Sequence, residues 1–499
     1  MGIKRLSGCA VAVAVFAVSI FAAPPDARLV QAVKTGNRTA ALSLIQQKVD
    51  VNAPEMDGTT ALHWAVRRDD AEMADRLLRA GADPKAANRY GVTPLYLAAV
   101  NGSAPMIEKL LKAGADANSV GTEGETTLMT VARTGAVDAA RVLLAHGARV
   151  DERETWKGQT ALMWAAAQGH PEMVQELIAR GADVNARSNI QQWERQTTAE
   201  PREKWLPLGG LTPLLFAARE GCVRCASILV DAGADINATD QEGITPLISA
   251  IINGHYDVAS VLLEKGADPN QADRVGRTPL YAAVDLHTMP DSNRPSPKET
   301  DDEITNLELI HKLIDKGANV NAQLRSQVPY KTKLDRGTDT MLSGGATPFL
   351  RAAKAADIVV MRLLLEKGAD AKLATRSGIN PLMAAAGVGT KEEDTTGRDK
   401  TQEEIIEAIQ LCLDAGVDIN AAENSGRTAV YGAALQGFDK VVAFLAEKGA
   451  KLDTKDKQGR TPLDAAMGLA GGLGFDGSAS IPRESTAALL RRLLAQQPQ

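Results

Sequence analysis

Two short helical patterns alternate along almost the whole chain, and the pair returns again and again at a spacing of 33 residues. The first opens on Gly-x-Thr-Pro-Leu, as in Gly91-Val-Thr-Pro-Leu-Tyr96, Gly243-Ile-Thr-Pro-Leu-Ile248, Gly276-Arg-Thr-Pro-Leu-Tyr281 and Gly459-Arg-Thr-Pro-Leu-Asp464. Looser copies start at Gly58, Gly124, Gly158, Gly210, Gly345, Gly378 and Gly426. Thr-Pro predicts a helix start, with the Thr hydroxyl accepting from free backbone N–H groups and Pro placed where no donor is needed. The Ala pairs that follow (Ala98-Ala99, Ala217-Ala218, Ala282-Ala283) keep this helix thin. After a Gly-containing turn (Gly102, Gly169, Gly254, Gly437) comes a second helix with apolar residues at i, i+3 and i+4, such as Ile107, Leu110 and Leu111. It ends on Leu-Leu-x-x-Gly-Ala-Asp, where the Gly accepts the left-handed cap conformation. The polar segment from Asp116 to Gly124 reads as an extended hairpin.

A fixed period of this length signals a row of small units that complete one another's cores, not a domain around one centre. The end units differ accordingly. Residues 26–57 have the helices without Thr-Pro-Leu and carry Lys34, Arg38, Gln46 and Gln47 as a soluble start, and 481–497 predict a last capping helix.

The chain resembles the ankyrin-repeat proteins. Their pattern of Gly-x-Thr-Pro-Leu-His, Ala-Ala, Gly-His and Leu-Leu-x-x-Gly-Ala-Asp-x-Asn-Ala matches Gly243 to Ala272 nearly residue for residue, and it recurs across about 26–497. The resemblance implies an all-α solenoid of about twelve units, each a helix–turn–helix plus a β-hairpin finger, acting as a non-catalytic protein-binding scaffold. One departure is consistent. The His after Leu survives only as His63, and the position otherwise holds residues such as Tyr96, Met129, Met163, Leu215, Ile248 and Tyr281, so apolar contact is expected to replace its ties between repeats. The family's binding surface is the hairpin tips and the inner face of the first helices. Carried over, that implies contacts at Met56, Arg89, Tyr90, Trp156, Lys157, Arg274 and Arg376 on tips, with Arg67, Arg68 and Arg219 on first helices. Trp64 and Trp164 read as core packing.

The period breaks at inserts. Between the repeats 58–186, 210–286, 304–323, 345–387 and 403–467 lie 187–209, 287–303, 324–344 and 388–402, and 468–480 falls within the last unit. Segments 187–209 and 324–344 extend fingers, whereas the other three join the two helices of a unit at the opposite edge. The first finger insert holds Trp193 and Trp205 among Glu194, Arg195, Arg202, Glu203 and Lys204. Large aromatics beside Arg suit dominant contact residues, but both Trp could equally fold back and anchor the insert. Tyr330, with Lys331, Lys333 and Arg336, marks the second. Insert 287–303 is acidic and Pro-rich, hence extended.

Net charge is -6 and aromatics are 4% of 499 residues, with no basic cluster, which disfavours nucleic acid as a partner. Residues 1–22 read as an export signal: Lys4-Arg5, an apolar run from Cys9, and a small-residue end with cleavage after Ala22. The run falls short of the ~20 residues that span a bilayer, although an uncleaved anchor stays open. The mature chain, a monomer needing no other membrane contact, is expected in the periplasm or the medium.

Candidate chemistry is sparse. The six His lack ligand spacing, so no metal or cofactor is expected, and no catalytic group is assigned. Cys222-Val-Arg-Cys225 opens a second helix, where a thiol is activated and, outside the cytoplasm, a disulfide can form. Two alternatives to the scaffold therefore stand: a redox-responsive protein using this pair, and a secreted effector acting on another cell's proteins.

Overall fold

The computed structural model describes residues 26–121, 123–192, 208–288, 301–328, 342–389, 400–469 and 481–496. Residues 1–25 and the interiors of all five inserts, with Trp193, Trp205 and Tyr330, lie outside them. Among the described residues there are 24 helices, and they divide between two compact units, 1–116 and 117–499.

Each helix start follows from its residues. At Thr93, Thr212, Thr245, Thr278 and Thr347 the hydroxyl accepts from the backbone N–H three residues on, and Pro fills the first helical position. The inner helices that begin there have seven to nine residues, too short to persist alone. They persist by packing. In the unit 117–499, inner helices contact one another in a row from Thr127–Thr134 to Pro462–Ala466, and outer helices such as Val137–Ala145, Pro171–Ala179 and Val223–Asp231 form a second row. Ala165, Ala166, Ala217 and Ala218 are fully buried at the inner contacts, and Leu143, Leu177, Leu229 and Leu262 fill the layer between rows. Each such Leu contributes about 1.5–3 kcal/mol. The unit 1–116 repeats the arrangement with the pairs Arg28–Lys34 and Arg38–Gln46, Ala61–Arg67 and Ala71–Arg79, and Pro94–Val100 and Ala104–Lys112.

The loops differ from an extended hairpin. Described residues contain only isolated antiparallel bridges, Val120 with Thr126, Ile190 with Gly209 and Ala422 with Thr428. A side chain at the loop base does the work of a strand ladder. Asn88 Oδ1 accepts from the N–H of Tyr90 and Val92, and Asp240 Oδ1 from Glu242 and Ile244. Asp273 Oδ1 accepts from Val275 and Arg277. Neighbouring loops are then joined by single backbone bonds, Arg89 N to Asp57 O at 2.9 Å and Arg274 N to Glu242 O at 3.0 Å. One bond per neighbour satisfies the tip without building a sheet.

Polar ties between repeats also survive the loss of the family's His, which corrects the expectation of purely apolar replacement. Met129, Met163, Leu215, Ile248 and Tyr281 are indeed buried at that position. The ties run through an Asn late in the repeat, and they are present beside His63 too, where Asn52 Nδ2 donates to Gly81 O. Asn185 Nδ2 donates to Gly233 O and its Oδ1 accepts from Asp235 N; Asn270 does the same with Gly317 and Asn319, and Asn321 with Gly368 and Asp370. Each Asn thus captures an orphan carbonyl at the end of the next outer helix.

His63 keeps the original tie. Its Nδ1 accepts from Thr60 N–H at 3.2 Å, which leaves Nε2 to donate to Val92 O at 3.0 Å. Burial pushes this imidazole below its ordinary 6.5. The unfolded chain therefore binds the proton more readily than the folded one. Stability from neutral His63 is fully present above about pH 6.5 and is lost as pH falls towards the folded value, by at most about 1.4 kcal/mol per pH unit. Urea midpoints at pH 7.5 and 5.5 check this, and His63→Gln is expected to flatten the difference.

The described ends of insert 324–344 do not project. Leu324, Val328 and Leu342 join Val275, Tyr281, Leu350 and Met383 in one buried cluster. Three apolar residues in a polar stretch pull both ends of this finger inward.

Candidate partner-binding surface

The loop tips are held from below and open above. Glu154 is buried at the base of its loop, where its carboxylate accepts from the N–H of Trp156, Lys157 and Gln159. That fixes the backbone while the Trp156 side chain stays 59% exposed, with Lys157 Nζ 4.3 Å from its ring centroid. In the unit 1–116, Tyr90 is 54% exposed, lies under the Arg89 guanidinium at 4.8 Å, and its hydroxyl accepts from Arg89 Nη2 at 2.6 Å. Met56 is fully exposed. Arg274 is exposed and pairs with Glu242 at 3.6 Å, and Arg376 is exposed on a later tip. Within the unit 1–116, Met56 stands on a different loop from Arg89 and Tyr90, and within 117–499 Trp156 and Lys157, Arg274 and Arg376 stand on three loops.

On the inner helices the last turn presents Arg67, Arg133 and Arg219. Arg67 stands 5.2 Å from the Trp64 ring centroid, Arg219 4.9 Å from Phe216, and Arg133 5.7 Å from Trp164 of the neighbouring helix. Trp64 and Trp164 are half-buried, which corrects their reading as core. They sit one residue past the fully buried His63 and Met163, about 100° round the helix, so one ring face is left to the surface. In the unit 1–116, Trp64 Nε1 also donates to Glu55 Oε2 at 3.2 Å, and Lys34 Nζ lies 4.7 Å from the ring. Cations over aromatic faces in this geometry are worth about 0.5–1 kcal/mol where exposed. The sequence shows these Arg and Trp but not their stacking, because half of it runs between repeats.

Arg68 has another task. Its Nη1 donates to Lys34 O at 3.1 Å, capping the end of the preceding inner helix. His170 and His255 cap Arg133 O and Arg219 O in the same way, at 3.0 and 3.1 Å. Arg68 is thus a link between helix pairs more than an open contact residue.

One group was not legible at all. Asp285 occupies the helix position of Arg67 and Arg219 but is buried, and it pairs at 2.6 Å with Arg351, which is wholly inaccessible. Beside it His287 Nδ1 meets Asp357 Oδ2 at 2.6 Å, and Lys354 is buried. This is an ionic interior within the inner row, not an open site. Cys222 and Cys225 are joined as a disulfide at the start of Val223–Asp231. Among the described residues no group of three or more His, Cys, Asp or Glu could hold a metal ion, and no helix is long and apolar enough to cross a membrane.

Comparison with known proteins agrees with the architecture. The sequence model described as ankyrin repeats (3 copies) matches residues 29–120, 98–188, 197–273 and 214–289, overlapping windows that cover just over half of the chain. The chain belongs to the ankyrin-repeat family. It is similar to Ankyrin repeat and KH domain-containing protein mask of Drosophila melanogaster, 34% identical over 106 residues that make up 21% of this chain and 2% of that protein. It is 30% identical over 152 residues to Ankyrin repeat and SOCS box protein 16 of Homo sapiens, covering 30% of this chain and 29% of that one. With Cyclin-dependent kinase 4 inhibitor B of Rattus norvegicus it shares 37% identity over 128 residues, 25% of this chain and 86% of that protein. The match therefore spans only a small part of the first two relatives. Among solved structures, the human ASB11 ankyrin repeat domain aligns with a TM-score of 0.40 at 26% identity, over 48% of this chain and 98% of that one. Ankyrin repeats bind protein partners and generally form non-catalytic interaction modules.

Proposed function

We propose that this chain is an exported, non-catalytic scaffold that holds a protein partner on its loop tips and on the cation-stacked face of its inner helices. The observation that carries the reading is the pairing of exposed aromatics with fixed backbones: Trp156 above buried Glu154, and Tyr90 above Asn88. A large ring on a rigid loop contributes contact area with little ordering cost when a partner arrives. Arg67, Arg219 and Arg274 supply cations beside these rings, and Trp193, Trp205 and Tyr330 are proposed as further contacts on the inserts. The absence of a basic cluster at net charge -6 favours protein over nucleic acid. The apolar run after Lys4-Arg5 supports export, with a mature chain starting at Ala23 and acting as a monomer in the periplasm or the medium.

Trp156→Ala and Trp164→Ala are each expected to weaken partner binding by tenfold or more, about 1.4 kcal/mol, with the melting temperature of Trp156→Ala unchanged. Titration of the partner recovered by crosslinking in intact cells measures it. Unaltered affinity in both variants, and in a chain lacking 188–208, would remove this surface from consideration. N-terminal sequencing of the fractionated mature chain tests export separately.

A further inference from the structure

We infer that Cys222 and Cys225 form a thiol–disulfide exchange site whose substrate is a disulfide, with Cys222 the attacking sulfur and Cys225 the resolving one. Three observations carry this. The two residues are bonded to each other, so the sulfurs are within reach without any movement of the fold. Their access differs: Cys222 is half-exposed and Cys225 fully buried, so an incoming sulfur meets Cys222 alone. Cys222 caps the outer helix Val223–Asp231, and its Sγ accepts the Cys225 N–H at 3.2 Å. A backbone donor at a helix start stabilises negative charge on that sulfur and favours its thiolate.

Cys222 follows Gly221 in a tight turn with φ +81, and the neighbouring turn carries Gly169, from which even an added Cβ would only just reach Cys222 Cβ at 4.0 Å. A structural purpose is poorly served by this bridge. It joins residues three apart at a single helix start and ties together no distant parts of the chain. Other outer helices are capped without one, by Asn37, Asp70 and Asp357. Cys412 makes the contrast: burial pushes its thiol up to about 12, and it lies wholly inside.

The exchange balances as follows. An external dithiol first reduces the Cys222–Cys225 bond and is itself oxidised to a disulfide, and in the resulting dithiol form the Cys222 thiolate attacks one sulfur of the substrate disulfide. That bond breaks, its far sulfur leaves as a thiolate and takes a proton, and a mixed disulfide joins Cys222 to the near sulfur. Cys225 gives its proton to water and attacks Cys222 Sγ, which closes the bond seen in the structure and expels the second substrate thiolate. Two electrons pass from the cysteine pair to the substrate, so one disulfide becomes two thiols as two thiols become one disulfide. The substrate disulfide belongs either to a protein or to a small molecule. This inference stands apart from the partner-binding reading and does not need it.

The test uses the full chain, reduced and then freed of reductant, with oxidised glutathione and insulin as separate probes. Cys225→Ser is expected to trap a mixed disulfide on Cys222, seen by intact mass, at least tenfold faster than Cys222→Ser traps one on Cys225. The wild-type dithiol should close instead, losing two thiols while its helical circular dichroism is retained. Reaction with glutathione alone assigns a small-molecule substrate, and reaction with insulin alone or with both assigns a protein one. Equal trapping by the two variants, or none with either probe, overturns the assignment. So does a wild-type pair that stays reduced in oxidised glutathione, or that resists excess dithiothreitol until the protein is denatured, and these two results need no variant to fold.

Discussion

Asp285→Ala is expected to destabilise the unit 117–499 by about 3–5 kcal/mol, the cost of leaving a buried charge without its counter-ion. Arg351 is wholly inaccessible, and its Nε donates to Asp285 Oδ1 at 2.6 Å. With the carboxylate gone, the buried guanidinium loses the ion pair that offsets its desolvation. Arg351→Met should cost a similar amount for the mirrored reason, since the buried Asp285 would lose the guanidinium it pairs with. The double variant Asp285→Leu with Arg351→Met is expected to recover most of the loss, because an apolar pair needs no desolvation to be offset. A repeat array can open locally, so hydrogen exchange resolved to Pro279–His287 and Pro348–Lys354 is the better readout, with urea denaturation beside it. Single variants within about 1 kcal/mol of wild type would show that the pair is solvated after all.

Gly345→Ala is expected to cost about 3 kcal/mol, from a left-handed conformation worth about 1–2 and overpacking worth about 1–3. Its φ is +95, and an added Cβ would lie 2.8 Å from Thr375 Cα, 2.9 Å from Ala374 O and 2.9 Å from Arg376 N. All three are backbone atoms of the next loop, so no side chain can turn aside. Gly266→Ala separates the two terms, because its φ is +96 but nothing lies within 4 Å of the added atom. Gly266→Ala should therefore lose only the conformational part. Equal losses at the two positions, by thermal or urea unfolding, would mean that the loops are free to move apart.

The helix pairs were legible because each signal is local. Thr-Pro-Leu fixes a cap within four residues, and Thr212 or Thr278 needs no distant partner to do so. The Gly-Ala-Asp ends are equally short-range. What stayed hidden depends on which neighbour covers a position. Asp285 and Arg219 hold equivalent places in their helices, yet one is buried in an ion pair and the other stacks at the surface on Phe216. The pattern marks that place as outward-facing in both. Leu324, Val328 and Leu342 lie in an insert with no period to compare against, so their burial had no signature. Trp64 and Trp164 are only half-buried, and an aromatic beside a buried position is ambiguous in sequence until the next helix is in place. For the binding surface, residue types were readable and their stacking was not: Arg133 meets Trp164 across two repeats.

The most direct measurement is photocrosslinking in intact cells from a benzoylphenylalanine placed at Trp156, compared with one at Gln175. Both positions are exposed in the same unit, but Gln175 lies on the outer helix Pro171–Ala179, away from the loop tips. Binding through the tips predicts a discrete protein adduct from position 156, suppressed by an excess of unlabelled wild-type chain, and none from position 175. Adducts of equal yield from position 175, or none from position 156, would contradict it.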